Sequence, residues 1–298
     1  MARGSAQATG LITERARAKV NVTLRVLGRR PDGYHELESL VTFADVADDV
    51  RLTIGASPDV SLQGDFADAV SGENIVQRAL TSLAQVEPHL RLGSIAIDKA
   101  IPVAAGLGGG SADAAAVLRA VKRANPELAH HVDWQGIAAR LGADVPVCFG
   151  DRPALMWGIG EHVAPISGLP RLNAVLANPR IAPPTDKTRQ VFSRLGSKRI
   201  ASRPSAPAEL PHFDSADDLI SYLRTHENDL ATPARELMPV CVEVEQALAA
   251  YAGCQLVRMS GAGPTCFGLF DTEEAARSAA RQLSNVHPGW WVRATTLG

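Results

Sequence analysis

Residues 101 to 120 read IPVAAGLGGGSADAAAVLRA and set Gly106, Gly108, Gly109 and Gly110 ahead of Ser111, at the mouth of an alanine-rich helix. Glycine loses more backbone entropy on ordering than any other residue, so four in five positions need a reason. One reason is a plain tight turn. The other is a loop whose bare backbone comes close to an anion. A strand, a glycine turn and a helix N-terminus together offer free N–H groups and the positive end of the helix dipole to a phosphate. Ser111 stands where a hydroxyl caps the helix or touches a phosphate or metal ion. Familiar phosphate and esterase patterns fail on spacing. GxGxxG begun at Gly106 would need glycine at Ser111, a P-loop needs a lysine after its second glycine, and GxSxG needs glycine at Asp113.

Three further stretches hold candidate chemistry. In ARAKVNVTL, Lys19 and Asn21 are two apart on a strand and share one face, with Val20, Val22 and Leu24 on the other. Taken alone, that pair reads more simply as a solvated face than as a function. In LGADVPVCF, Asp144 sits among apolar residues, where a carboxylate needs a partner or suffers desolvation. Turn or helix-capping duty is its alternative. SGAGPTCFGLF is a second glycine loop between strands, readable also as a hairpin turn.

The elements that position these residues follow from periodicity and punctuation. Residues 18–27 alternate as a strand, Pro31-Asp32-Gly33 marks a turn, and DDVRLTIG reads as a strand. Ile75, Val76, Ala79, Leu80 and Leu83 recur at helical spacing. GSIAIDKAIP is a strand ending at Pro102, and residues 111–123 form a helix so alanine-rich that it must pack closely. DWQGIAARLGADVP predicts a short helix ending at Gly142, with Pro146 stopping any continuation. The Pro-, Ser- and Arg-rich stretch 181–215 reads mostly as loop. Beyond it come helices in SADDLISYLRT, VCVEVEQALAAY and TEEAARSAARQLS, and a last strand in WWVRATT. Strands and helices alternate without βαβ order, which predicts α+β in two lobes.

Composition narrows the classes. The chain has 298 residues, 46% hydrophobic and 21% charged, with a formal net charge of -2. That is ample for a core and offers no general nucleic-acid or membrane surface. Cys148, Cys241, Cys254 and Cys266 are scattered, so reduced thiols are expected rather than zinc or disulfides. No apolar run spans a membrane and MARGSAQATG lacks a signal-like core, which predicts a cytoplasmic protein.

Jointly, AKVNVTLRVLGRRPDGYHELESL, IPVAAGLGGGSADAAAVL and SGAGPTCFGLF stand in the order and spacing of the GHMP kinase superfamily. The chain resembles that superfamily from about residue 14 to 270, least over 181–215. GRRPDGYHELES and LGADVPVCF resemble its branch with a cytidine diphosphate substrate, since the sugar, homoserine and mevalonate kinases do not normally carry DGYH. The resemblance implies an α+β, two-lobed fold, divided at 1–155 and 156–298, with the active site in the cleft between lobes. It implies ATP, with Mg²⁺, phosphorylating the 2-hydroxyl of a methylerythritol unit on the way to isoprenoid precursors. Lys19 and Asp144 match the family's catalytic pair. Pro102, Ala104, Ala105, Gly106, Leu107, Gly108, Gly109, Gly110 and Ser111 match its ATP phosphate loop, and Lys99 a lysine at the adenine side. Asn21, Tyr34 and His35 match the cytidine site, where Phe192 stands for an aromatic that sandwiches the base. Arg194, Arg199 and Arg203 are expected in a solvated loop. Rival expectations are a homoserine or mevalonate kinase, or a nucleotide-binding regulator, which would lack the Lys19–Asp144 pair.

Overall fold

The computed structural model describes residues 10–70, 74–200, 206–207 and 210–298. Arg203 and the first nine residues, where a signal segment was sought, lie outside them. Where one strand is predicted over 18–27, the chain forms β1 (Leu11–Asn21) and β2 (Arg25–Arg29). The ladder breaks because the N–H groups of Val22 and Thr23 both donate to the Leu40 carbonyl, while that of Leu24 donates to Glu227. A long β3 (His35–Thr53) absorbs the DDVRLTIG strand, and β4 (Asp59–Gln63) follows. Asn74 caps α1 (Ile75–Val86), its side chain accepting from the Val76 N–H at 2.9 Å. Alanine at such a cap costs about 1 kcal/mol.

Next come β5 (Ser94–Asp98), α2 (Gly109–Ala124), α3 (Trp134–Leu141) and α4 (Val145–Gly150). Pro146 therefore does not stop the chain's helical course. It lies in the first turn of α4, where the N–H it lacks would have no intrahelical partner. After β6 (Ala154–Gly158), β7 (His162–Pro165) and β8 (Leu172–Asn178), the stretch expected to be mostly loop forms α5 (Lys187–Arg194). Its buried residues, Lys187 and Val191, are one turn apart on one face. The remainder is α6 (Ala216–Thr225), α7 (Ala231–Leu237), α8 (Val240–Ala249), β9 (Cys254–Met259), β10 (Cys266–Phe270), α9 (Glu273–Val286) and β11 (Trp291–Leu297).

Two compact units interleave along the sequence instead of meeting at residue 155, because β1 and β3 each contribute to both. One holds the described residues of Met1–Arg17, Ala47–Val103 and Gly109–Phe149. In it β5 pairs in parallel with β4 (Val60 opposite Ile95) and antiparallel with the end of β3 (Val50 opposite Ile97). Helices α1, α2 and α3 pack together, and α2 buries Ala112, Ala114, Ala115, Ala116 and Ala120. Such small side chains let neighbouring elements approach closely, the close packing expected of this helix.

The other unit holds the described residues of Ala18–Val46, Ala104–Gly108 and Gly150–Gly298. Strands β9, β10, β8 and β11 run antiparallel in that order, with Cys266 opposite both Met259 and Ala177. Helices α8 and α9 pack on this sheet, enclosing Val175, Val244, Leu248, Phe270 and Leu283. The first part of β3 pairs with β2 and β6. Antiparallel pairing with helices outside any βαβ order makes the fold α+β. Among the described residues no helix is long and apolar enough to cross a membrane.

Candidate active site

Lys19 and Asn21 are not solvated: their exposures are 4% and 1%. A buried ammonium needs acceptors, and Lys19 Nζ donates to Asn21 Oδ1 at 2.8 Å. Asn21 Nδ2 donates to Ser39 Oγ at 2.8 Å, and Ser39 Oγ donates to the Thr23 carbonyl at 2.5 Å. Both polar ends of the Asn21 amide are thus engaged inside the protein. Asn21 therefore holds the Lys19 ammonium on the inner face of β1.

The same unit binds the two glycine loops to each other and to β1. The Lys19 N–H donates to the Leu107 carbonyl at 2.9 Å, and the Thr265 N–H donates to Ala105 at 3.1 Å. Ser260 Oγ accepts from the Asn21 N–H at 3.2 Å and donates to the Gly106 carbonyl at 2.8 Å. Gly106 has φ 82°, and a Cβ there would collide with the Ser260 carbonyl oxygen. Loop-on-loop packing is by itself enough to require glycine at this position. Gly108, at φ 64°, takes the left-handed conformation that disfavours side chains. Leu107 and Ala105 are buried anchors, whereas Ala104 is exposed.

Gly109 and Gly110 are different. They open α2, two residues earlier than predicted, and Ser111 follows half-buried as its third residue. A Cβ would lie 3.4 Å from Ile101 Cγ2 at Gly109 and 3.7 Å from Ile75 Cγ2 at Gly110, both ordinary contacts. These contacts do not require glycine, so the bare backbone suits a ligand. The first turn of α2 carries no acidic residue, and its leading N–H groups have no intrahelical acceptor. An anion complements such an end.

Lys99 lies just after β5, before the buried Pro102, but its ammonium does not face outward. It is 3% exposed and ion-paired with Asp48 and, at 2.5 Å, with Asp113 Oδ2. Asp48 Oδ1 also accepts from the N–H groups of Ala100 and Ile101, at 2.6 and 2.8 Å. Burial opposes the charge on Lys99, yet Asp113 and Asp48 outweigh it and raise its pKa. Burial pushes the Asp113 carboxyl up to about 7, with Lys99 opposing and Asp48 adding to the rise. The cluster ties residues 99–101 to the start of α2, bracing both ends of the glycine loop. Lys99 Nζ lies 3.9 Å from where a Cβ at Gly109 would stand, so this cation adjoins the loop as well as its two carboxylates.

Tyr34 closes the Pro31–Gly33 turn and is 61% exposed, and His35 opens β3. Helix α5 lays Phe192 on the His35 ring, centroids 4.8 Å apart at 27°. Burial and, second, Arg29 hold the His35 imidazole below its usual range. The ring is then neutral near pH 7, with one nitrogen donating and the other accepting. Arg194 is exposed at the end of α5, and Arg199 forms an isolated bridge with Arg29. Asp144, in the unit holding α2, stands half-buried before α4, where its carbonyl accepts from the Cys148 N–H at 3.2 Å. A cavity of about 440 Å³ lined by Arg194, Glu227, Asp229, Arg235 and Arg258 shares no residue with the glycine loops.

Sequence reasoning overlooked Ser39, Asp48, Asp113, Lys187 and Ser260. Only Ser260 carried a signal, as the first residue of the second glycine loop.

Models of the GHMP kinases N terminal domain and GHMP kinases C terminal match residues 74–158 and 212–289. A 4-diphosphocytidyl-2-C-methyl-D-erythritol kinase of Parvibaculum lavamentivorans is 48% identical over 295 residues, covering 97% of this chain and 99% of that one. One from Rhodopseudomonas palustris is 44% identical over 299 residues, covering 96% and 97%. A crystal structure of 4-(cytidine 5'-diphospho)-2C-methyl-D-erythritol kinase matches with a TM-score of 0.74 at 34% identity, over 96% of this chain and 99% of that one.

Proposed function

Because this chain belongs to the 4-diphosphocytidyl-2-C-methyl-D-erythritol kinase family of GHMP kinases, we propose that Lys19 and Asp144 carry its phosphoryl transfer and that the glycine loop holds its ATP. The activity is ATP-dependent phosphorylation of 4-diphosphocytidyl-2-C-methyl-D-erythritol, in the non-mevalonate route to isoprenoid precursors. One observation carries the assignment of Lys19 and the loop, while Asp144 is assigned by its motif. The buried Lys19 ammonium and the glycine loop are parts of one hydrogen-bonded piece, through Asn21, Ser260 and the Lys19 N–H to Leu107.

Phosphoryl transfer asks for positioning and charge neutralisation more than covalent help. The backbone of Gly108, Gly109 and Gly110 and the N-terminus of α2 receive the triphosphate. Asp144 orients the substrate's 2-hydroxyl and takes its proton as the new O–P bond forms and the bond to ADP breaks. Lys19 offsets charge on the transferring group. Tyr34 stacks on cytosine, and His35, steadied by Phe192, reads the base edge as a neutral ring.

Among the described residues no group of three or more His, Cys, Asp or Glu could hold a metal. Mg²⁺ would arrive on the nucleotide phosphates, where Ser111, the third residue of α2, would add a hydroxyl. When bound, Mg²⁺ neutralises charge on the phosphates. The enzyme works in solution on a small cytidine diphosphate substrate, in the cytoplasm.

The test is ADP release with ATP and 4-diphosphocytidyl-2-C-methyl-D-erythritol. Lys19→Ala and Asp144→Asn should each lower kcat by roughly 10²–10⁴ while ATP still binds. The double variant should lose far less than the product of the two, since groups acting on one transferring phosphoryl are not additive. Single variants with near-normal kcat would remove both residues from the mechanism.

A further inference from the structure

We propose that Lys187 is a phosphate-binding residue of this enzyme, a cation stationed where the two glycine loops meet to take the polyphosphate of ATP. The proposal rests on the reading of the glycine loop as the ATP site. Lys187 opens α5 and is only 6% exposed. Its ammonium donates to the Ala104 carbonyl at 2.8 Å and to the Gly263 carbonyl, one acceptor from each glycine loop. Ala104 has φ 53°, uncommon for a residue with a side chain, and its carbonyl is held there by Lys187.

What marks the site is the missing counter-charge. An ammonium has three donors, and among the described residues the acceptors of this one are two carbonyl oxygens and no carboxylate. A buried cation is normally paired. The charged or titratable groups acting on it are Lys19 on β1, which repels it, and Cys241 on α8. Burial and the Glu245 charge push the Cys241 thiol up to about 11, so it is neutral at pH 8. Burial brings Lys187 down to about 8, against an opposing contribution from Cys241 and with the Lys19 charge adding to the fall. A polyanion beside Ala104 supplies the absent partner. It favours the ammonium form, so ATP binding near pH 8 should draw in a proton.

Calorimetry at pH 8 in two buffers of different ionisation enthalpy measures that proton, with adenylyl imidodiphosphate as a non-hydrolysable probe. Wild type should take up about half a proton per nucleotide, and the affinity should fall as pH rises from 7 to 9. Lys187→Gln keeps amide donors for the two carbonyls but carries no charge, and Lys187→Met removes both. Both should take up no proton at this step, bind the probe roughly 10-fold more weakly, and show no such pH dependence. The melting temperature of Lys187→Gln should hold or rise, since a buried charge is gone while its amide still serves the two carbonyls. A clasp without a charge role would leave Lys187→Gln like wild type and no proton taken up, which overturns the proposal. So would uptake on adding CDP but not the ATP analogue. Gly110→Val separates this failure from that of the site itself. If it weakens the probe while Lys187→Gln does not, the loop reading stands and this proposal falls. If neither variant affects binding, both fall.

Discussion

At the residue scale, burial overrides what spacing alone favours. Lys19 and Asn21 share a strand face on any account, but only their burial and the Ser39 bond say what each does. Asn21 holds a cation, whereas His35 presents a neutral ring. The two therefore differ kinetically. Asn21→Ala should lower kcat roughly 10-fold or more with little change in the KM for the cytidine substrate, because a misplaced catalytic group loses rate first. His35→Ala should instead raise that KM and narrow the preference for cytidine over uridine, since a site lacking its polar reader no longer leaves a wrong base unpaired. Steady-state kinetics with both substrates decide. A raised KM with unchanged kcat for Asn21→Ala would instead assign that residue to the cytidine site.

At the element scale, adjacent glycines have different causes. Gly106 is demanded by the second glycine loop, whose Ser260 carbonyl occupies the space of a Cβ, and by φ 82°. Gly110 is demanded by nothing packed on it, the nearest atom to a Cβ being Ile75 Cγ2 at 3.7 Å. Gly106→Ala should consequently destabilise the fold by about 2 kcal/mol or more, from strain and collision together. Gly110→Ala should leave denaturant unfolding within about 0.5 kcal/mol of wild type yet weaken ATP binding. Equal stabilities for the two variants would mean that the loops do not pack as described. Helix α4 teaches a related lesson: Pro146 looks like a stop and is a start, because the same missing N–H forbids an interior position and suits a first turn.

At the scale of the molecule, contacts and chain order disagree. Ala18–Val46 and Ala104–Gly108 belong by their contacts with Gly150–Gly298, and β3 runs from one unit into the other. A domain cut at residue 155 would leave the first part of β3 without most of β6, its partner from Leu37↔Gly158 to Val41↔Ala154. It would also strand the Ala104–Gly108 segment without Ser260 and Lys187. A fragment ending at residue 155 should show no cooperative thermal transition by circular dichroism, whereas the whole chain should. A sharp, reversible transition in the fragment would contradict the interleaving.

Much was legible in the sequence because it is local. The 3.6-residue period of Ile75–Val86, the alanine helix, the turn at Pro31–Gly33 and the three glycine and lysine motifs each depend on neighbours in the chain, and together they sufficed to name the superfamily. Helix α5 was hidden because Lys187 and Val191 gain their buried face from distant segments, in a stretch whose composition favours loop. The partners of Asn21, Lys99 and Lys187 were hidden for the same reason. Asn21 and Ser39 are 18 residues apart, Lys99 and Asp48 51, and Lys187 and Gly263 76. An ionisable side chain declares its function through its partners and its distance from water, and both are set only when the chain closes on itself.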